Sequence, residues 1–177
     1  MIKRILIIGF GMMGKSHLYS FINSKHKYQI SIYDKKNYSK IEISNYFNKV
    51  NFLKKFPKKK KYDCVIIATS SDIRFLLLKK ILKFNKVNKV ILEKFIFPKI
   101  VQYKKFAKFS ENYKDLILKV NTWGDYLYRN LKLPKNIKNN NVKIFVPEGT
   151  LLSNTIHYLD FCFRKIQKIE INLNLKR

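Results

Sequence analysis

The chain has 177 residues, enough for one domain of ordinary size and a smaller second part, and 46% of its residues are hydrophobic. That fraction excludes wholesale disorder, and no apolar run reaches the roughly 18 residues of a membrane-spanning helix, so we expect no membrane partner. Lysine and arginine number 38 against 11 acidic residues, a formal net charge of +27 that on its own would suggest nucleic-acid binding.

Lysine accounts for most of this charge, since only five of the 38 basic residues are arginine. Arginine is the residue that forks onto phosphates and base edges, whereas lysine is a point charge, so a specific nucleic-acid partner is not expected. The abundant residue types Lys, Asn, Ile, Phe and Tyr have A/T-rich codons. We therefore interpret the charge mainly as compositional drift in an A/T-biased genome, with a basic nucleic-acid-binding protein as an open alternative.

The cysteines and the N-terminus indicate the cellular compartment. Cys64 and Cys162 lack the spacing of a disulfide framework and are predicted to be free thiols. The N-terminal apolar stretch is too short for a secretory signal, so we expect a cytoplasmic protein. The three histidines have no metal-ligand spacing with the cysteines, and no metal is expected.

Short apolar runs alternate with amphipathic stretches along the chain. The apolar runs predict strands at 4–8, 28–33, 50–52, 63–69, 89–92 and 116–120, and the amphipathic stretches predict helices at 15–24, 41–47, 72–84 and 100–112. Residues 54–61, with Pro57 and four consecutive lysines, are predicted to form an exposed loop. Near-continuous apolar strands joined by helices are typical of an α/β fold with a parallel sheet covered on both faces.

The alternation loosens after residue 120. A strand at 142–146, a helix at 150–165 and an edge strand at 169–175 are predicted there. We expect a complete α/β domain at 1–120 and a shorter, truncated α/β segment at 121–177, which would carry substrate-binding or oligomerisation functions.

Three of the five glycines fall within six residues, directly after the first predicted strand and at the start of the next helix. In this context G-x-G-x-x-G is typical of Rossmann-type dinucleotide-binding domains, where the glycines allow a tight turn, a close approach of backbone to pyrophosphate and close helix–strand packing. Asp34 ends the second strand, where a carboxylate binds the adenosine ribose, and the lysines after it would tolerate a 2′-phosphate. The motif's candidate cofactor residues are Gly9, Phe10, Gly11, Met12, Met13, Gly14 and Asp34.

The same segment also satisfies a P-loop pattern, since Gly14 is followed by Lys15 and Ser16. In that reading Lys15 would bind the β- and γ-phosphates and Ser16 a magnesium ion. A P-loop enzyme also needs a second carboxylate at the end of a buried strand, and only Asp34 and Glu93 could provide it. A P-loop nucleotide-binding enzyme and a glycine turn without a ligand therefore stay open as alternatives.

Three further segments carry a family resemblance. Residues 65–72 (VIIATSSD), 90–94 (VILEK) and 154–160 (NTIHYLD) follow the glycine motif, which His17 extends to G-x-G-x-x-G-x-x-H. In this order the four motifs resemble the glucose–fructose oxidoreductase/inositol dehydrogenase (Gfo/Idh/MocA) family. That family pairs an N-terminal Rossmann domain with an α/β domain built on an open sheet.

The resemblance implies an oxidoreductase that uses NAD or NADP to transfer hydride to or from a hydroxyl or keto group of a sugar or cyclitol. It implies that Lys94 contacts substrate and cofactor, and that His157 donates or accepts the proton. It places Thr69, Ser70 and Glu93 beside the cofactor as well. Such chemistry is coherent, because hydride removal from a carbinol requires a base, and an ammonium stabilises developing alkoxide charge. The candidate substrate contacts are Asn121, Trp123, Tyr126 and Asn154.

The sequence also departs from the family pattern. Phe95 replaces the proline that follows the lysine, which disfavours a cis peptide there, and Ser153 replaces an aspartate found in many relatives. The chain is about half as long as its relatives, so a cofactor-binding homologue without turnover is an alternative. A homo-oligomer or a partner chain at the C-terminal segment is also expected. His17 is predicted to be a packing residue on the first helix.

Overall fold

The computed structural model describes residues 1–36, 38, 46, 50–122, 130, 157 and 160. The chain divides into two compact units, Met1–Asn121 and Thr122–Arg177. The predicted strands at 142–146 and 169–175 lie outside the described residues, as does nearly all of the predicted helices at 41–47 and 150–165. In the second unit, Asn130, His157 and Asp160 are helical.

The first unit contains eight strands and three helices in its described part. The strands are β1 (Lys3–Ile8), β2 (Tyr28–Tyr33), β3 (Val50–Leu53), β4 (Lys61–Tyr62), β5 (Cys64–Ile67), β6 (Lys86–Val87), β7 (Lys89–Glu93) and β8 (Ile117–Asn121). The helices are α1 (Met12–Ile22), α2 (Ser71–Phe84) and α3 (Ile100–Ser110). Within the described ranges, no helix is both long and apolar enough to cross a bilayer.

Six strands form one parallel sheet in the order β3-β2-β1-β5-β7-β8. Counting only these six, the order is 3-2-1-4-5-6, which is the doubly wound order of Rossmann domains. The order reverses between β1 and β5, where ligands bind in sheets of this kind. The predicted α/β class and parallel sheet are confirmed.

The core explains why the strands are apolar along their whole length. Successive residues of a strand point to opposite faces of the sheet, so Leu6 packs in one buried cluster with Leu78 of α2. Its neighbour Ile7 packs in a second cluster with Leu18 of α1. All four side chains are fully buried. Helices therefore cover both faces, and a strand with a polar face would place polar groups in one of the two clusters.

The predicted loop at 54–61 is partly wrong at its C-terminal end. Lys61 begins β4, which pairs with the short strand β6 and forms a separate two-stranded sheet. The side chain of Asn85 supports this arrangement, because its Nδ2 donates to Pro57 O at 3.1 Å and its Oδ1 accepts from Lys60 N at 3.1 Å. Two-residue strands have no hydrophobic period, so the pairing leaves no local sequence signal.

Candidate cofactor site

The parallel register brings the carboxyl ends of five strands to one edge of the sheet. Ile8 pairs with both Tyr33 and Ile67, and Ile67 pairs with Leu92. One residue further on, Glu93 pairs with Asn121. The segments that follow the strands at this edge contain Gly9, Asp34, Thr69, Ser70 and Lys94, and Asn121 is the last residue of β8 at the same edge. The structure thus collects most sequence-predicted residues of the first unit in one region.

The three glycines of the loop differ in what the surrounding structure demands of them. Gly9 has φ +95°, a conformation that other residues rarely adopt, and a Cβ there would lie 2.7 Å from Ala68 O. A Cβ on Gly14 would lie 2.0 Å from Gly9 O, so this glycine lets α1 approach the loop. A Cβ on Gly11 would meet no atom within 4 Å. The fold therefore does not explain Gly11, whereas a ligand passing close to the backbone would.

Gly11 also occupies the N-cap position of α1. Because glycine has no side chain, it provides no side-chain hydrogen bond to the first N–H groups of the helix. The first N–H groups of a helix have no intrahelical partner, and the helix dipole adds partial positive charge there. Met12 and Met13 begin the helix, and these residues are 83% and 37% exposed. This helix start has the open backbone donors that a pyrophosphate requires.

Phe10 supports the loop from the core side. Its side chain is buried and packs edge-on against Tyr38, Tyr46 and Phe52, with ring centroids 5.2–5.8 Å apart. Its backbone N–H donates to Asp34 Oδ2 at 2.5 Å. The Phe10 side chain therefore does not face the cofactor edge, and its N–H is engaged by the carboxylate of Asp34.

The Asp34 carboxylate is fixed at the end of β2. Oδ2 accepts from Phe10 N and, at 3.3 Å, from the hydroxyl of Tyr38, while Oδ1 accepts from Lys36 N at 2.8 Å. These bonds hold both oxygens beside the glycine loop. If the pyrophosphate of a dinucleotide lay at the N-terminus of α1, its adenosine ribose would lie close to these carboxylate oxygens.

Glu93 is a buried carboxylate at the end of β7, with 4% of its surface exposed. Its Oε1 accepts from His17 Nε2 at 2.5 Å and from Asn121 Nδ2 at 2.9 Å. Burial raises the pKa of Glu93, but the hydrogen bonds from His17 and Asn121 and the charges of His17 and Arg74 outweigh it, so its pKa lies below the ordinary value. Glu93 therefore remains a carboxylate at neutral pH.

The prediction that His17 only packs on the first helix is wrong, because its ring binds Glu93 across the sheet edge. The signal was available in the sequence, since His17 stands at the ninth position of the extended glycine motif and the chain has three histidines in all. The partner of His17 could not be identified in the same way, because Glu93 belongs to β7, which lies 76 residues further along the chain.

Lys94 follows Glu93 and is half-buried at the same edge. Burial lowers the pKa of its ammonium group, and the neighbouring Glu93 carboxylate partly opposes this shift. The Lys94–Phe95 peptide bond is cis, in contrast to the expectation from a non-proline residue. The Lys94 ammonium group therefore loses its proton more readily than the ammonium group of an ordinary surface lysine.

One central residue of this region was missed in the sequence. Arg74, on α2, is 3% exposed and donates to the backbone carbonyls of Thr69, Glu93, Phe95 and Ile96. It thereby joins the segment after β5 to the segment after β7. The available signal was composition, because Arg74 is one of five arginines among 38 basic residues.

The remaining candidates divide between the two units. Thr69 and Ser70 precede α2, and the Thr69 hydroxyl donates to Ser70 O at 3.3 Å. In the second unit His157 is helical and buried, and Thr122 Oγ1 donates to Asp160 Oδ2 at 2.7 Å. Trp123, Tyr126 and Asn154 lie outside the described residues.

The geometry favours the dinucleotide interpretation over the P-loop interpretation. The strand order is the Rossmann order, and the carboxylates of Asp34 and Glu93 are engaged by the protein's own donors. These features define a dinucleotide-binding domain of the Rossmann class.

Comparison with protein families identifies the branch of this class. Residues 3–121 match the model of the Gfo/Idh/MocA oxidoreductase family, described as an NAD-binding Rossmann fold. The match covers more than half of the chain, so the chain belongs to this family, and its cofactor class is NAD or NADP. No curated protein sequence matches the chain.

Solved structures agree on the fold at low sequence identity. An oxidoreductase from Bacillus cereus matches 92% of this chain at 17% identity with a TM-score of 0.65. Scyllo-inositol dehydrogenase from Lactobacillus casei, solved with NAD(H) and scyllo-inositol, matches 73% at 17% identity and 0.55. Biliverdin reductase from Synechocystis, solved with biliverdin and NADP+, matches 72% at 18% identity and 0.51. The chain spans between 39% and 53% of the length of these three structures.

Proposed function

We propose that the protein binds NAD or NADP across the glycine loop and transfers hydride between the nicotinamide and a hydroxyl or keto carbon of a sugar- or cyclitol-like substrate. The observation that carries the proposal is the open backbone above Gly11, at the N-terminus of α1 and beside the fixed carboxylate of Asp34. The family supplies the reaction class.

The residues present fit a dinucleotide. The pyrophosphate would lie against the backbone N–H groups from Gly11 to Gly14, and the adenosine ribose would bind the Asp34 carboxylate. A nicotinamide ring on the other side of the loop would lie near Thr69 and Glu93. The cofactor supplies the hydride chemistry, and the protein supplies orientation and charge.

The roles at the reacting carbon follow from charge. Oxidation of an alcohol leaves negative charge on the oxygen, which the Lys94 ammonium group would stabilise, and burial lowers the pKa of this group from its ordinary value. Glu93 would keep this ammonium group protonated, since its carboxylate opposes the downward shift. The resemblance to the family makes His157 the candidate proton acceptor, and removal of such a group slows reactions about 10²–10⁴-fold.

A cofactor titration tests the binding step. Wild type and Gly11→Val are titrated calorimetrically with NADH and NADPH, and we expect Gly11→Val to bind at least about 100-fold more weakly, or about 2.7 kcal/mol. Its urea midpoint should stay close to that of wild type, because a Cβ at this position meets no protein atom within 4 Å. Tyr19→Val, an exposed position on the same helix, is the control and should bind normally.

Two results would contradict the proposal: wild type binds neither cofactor, or Gly11→Val binds as wild type does. Magnesium-dependent ATP binding that disappears in Lys15→Ala would instead support the P-loop function.

Turnover is tested separately from binding. The protein is mixed with NAD+ or NADP+ and a panel of cyclitols and sugars, scyllo-inositol among them, and the formation of reduced cofactor is followed by absorbance. We expect activity that falls sharply in Lys94→Ala and His157→Ala, with cofactor affinity changing far less in His157→Ala. Cofactor binding without turnover on any substrate would support the alternative of a cofactor-binding homologue that has lost catalysis.

A further inference from the structure

We propose that Arg74 is a positioning residue that holds the segments after β5 and β7 in a single arrangement, so that binding of the nicotinamide half of the cofactor depends on it. The inference rests on the proposed function, since it assigns those segments to the nicotinamide end. It adds a residue that no sequence motif identified.

The contacts of Arg74 reach both segments from one buried guanidinium group. Nη1 donates to Glu93 O at 2.6 Å and to Ile96 O at 3.1 Å, and it also donates to Phe95 O. Nη2 donates to Thr69 O. All four acceptors are backbone carbonyls, so Arg74 fixes the path of the chain on both sides of Lys94.

The burial of Arg74 would be costly without these contacts. A buried charge destabilises a fold unless hydrogen bonds or an opposite charge compensate for it. Among the described residues, no carboxylate forms a salt bridge with Arg74, and the carbonyl dipoles therefore provide the compensation. Burial lowers the pKa of the guanidinium, and the charges of Glu93, Tyr103 and Asp72 oppose this, yet arginine stays protonated in proteins.

Lysine cannot make the same set of contacts. Its ammonium is a compact point charge, whereas the planar guanidinium directs several N–H groups along a rigid fork. The carbonyls of two separate segments can be bound by the several N–H groups of one guanidinium, but not by a single compact ammonium group. This difference accounts for an arginine at position 74 in a chain where lysine is the usual basic residue.

The geometry separates the two halves of the cofactor site. The adenosine half is held by the glycine loop and Asp34, and the contacts that fix Asp34 come from Phe10, Lys36 and Tyr38. The strand order reverses between β1 and β5, and the hydrogen bonds of Arg74 lie on the β5–β7 side of that point. A change at Arg74 should therefore disturb the nicotinamide side and spare the adenosine side.

The test compares two ligands that differ only in the nicotinamide. Wild type, Arg74→Lys and Arg74→Met are titrated calorimetrically with NADH and with ADP-ribose, which lacks the nicotinamide ring. We expect NADH to bind about tenfold more weakly or worse in both variants, while ADP-ribose affinity changes less than about twofold. Met leaves the carbonyls without donors but also removes the buried charge, so it avoids the desolvation cost that an ammonium group would have there and serves as the second variant.

Leu78→Ala is the matched control, because Leu78 is fully buried one turn further along the same helix and contacts neither segment through a hydrogen bond. It should lower the urea midpoint and leave the ratio of NADH to ADP-ribose affinity unchanged. Equal losses for both ligands in the Arg74 variants, or no loss for either ligand, would overturn the proposal, because both results leave the ratio of the two affinities unchanged. Failure of both variants to fold would assign Arg74 to the core and equally overturn it. Wild type that binds neither ligand would refute the proposed function instead.

Discussion

Gly14→Ala tests whether the glycine loop is packed as closely as the structure indicates, because two effects of opposite sign meet at this residue. Gly14 lies in the first turn of α1, and glycine is about 1 kcal/mol less favourable than alanine inside a helix. Helix propensity alone therefore predicts a more stable variant. The structure predicts the reverse, since the added Cβ would lie 2.0 Å from Gly9 O and 2.9 Å from Gly9 C.

The size of the steric effect follows from which atoms must move. Cβ contacts under 3.0 Å are essentially never found, so the helix and the loop must separate by about 1 Å (3.0 − 2.0 Å). The obstacle is backbone, which cannot rotate away as a side chain can. Overpacking of this kind costs about 1–3 kcal/mol or more, which exceeds the propensity gain. Because the obstacle is backbone, we place the cost in the upper part of this range and expect Gly14→Ala to be destabilised by about 1–2 kcal/mol net, or several degrees in Tm.

Urea denaturation followed by circular dichroism measures this difference. Gly11→Ala is the control, because the same substitution three residues earlier meets no atom within 4 Å and should change stability by less than about 1 kcal/mol. The two variants should therefore separate in stability, with Gly14→Ala the lower. If Gly14→Ala is as stable as wild type, the close approach of α1 to Gly9 is wrong.

Three further predictions concern fixed polar groups. Asp34→Ala removes the carboxylate that we propose binds the ribose hydroxyls, so NADH affinity should fall about 10-fold or more in calorimetry. NADPH should lose less affinity, because the Asp34 carboxylate repels its 2′-phosphate. Equal losses for the two cofactors would argue against this role. The pKa of Glu93 is lowered in the folded state, so its stabilisation is present at neutral pH and is lost in acid, as pH falls below the ordinary glutamate pKa and through the lowered one. Glu93→Gln should therefore flatten the acid limb of a urea-stability profile, and an unchanged limb would refute the assignment. Asn85→Ala removes donors and an acceptor from the β4–β6 connection, and it should lower the unfolding free energy by about 1–3 kcal/mol without changing NADH affinity.

The sequence predicted those features whose cause is local. β2 was predicted at its observed bounds, and the other strands of the main sheet within a few residues, because a strand buried on both faces requires a continuous apolar run. The start of α1 was placed too late, at residue 15 rather than Met12, since the glycine motif conceals a helix that begins inside it. Local composition cannot distinguish a glycine before a helix from one within it.

The contacts that organise the site could not be predicted in the same way. The His17–Glu93 hydrogen bond spans 76 residues, and the Arg74 contacts span up to 22. Each depends on which strands become neighbours in the sheet, and that order is a property of the whole fold. Residue type gave a weaker but usable signal, because Arg74 is one of five arginines in a chain whose basic residues are mostly lysine.

The distribution of basic residues extends this argument to the net charge. In the described part of the chain every lysine is exposed except Lys89 and Lys94, which are half-buried. An exposed ammonium group interacts with its neighbours through water and salt, so its addition costs the fold little and its exact position is unconstrained. Arg74 and Lys94 differ, because each is withdrawn from solvent and both lie at the segment after β7. The excess charge and the charges at the proposed catalytic site therefore occupy different places in the molecule, and a compositional origin for the first is compatible with a specific role for the second.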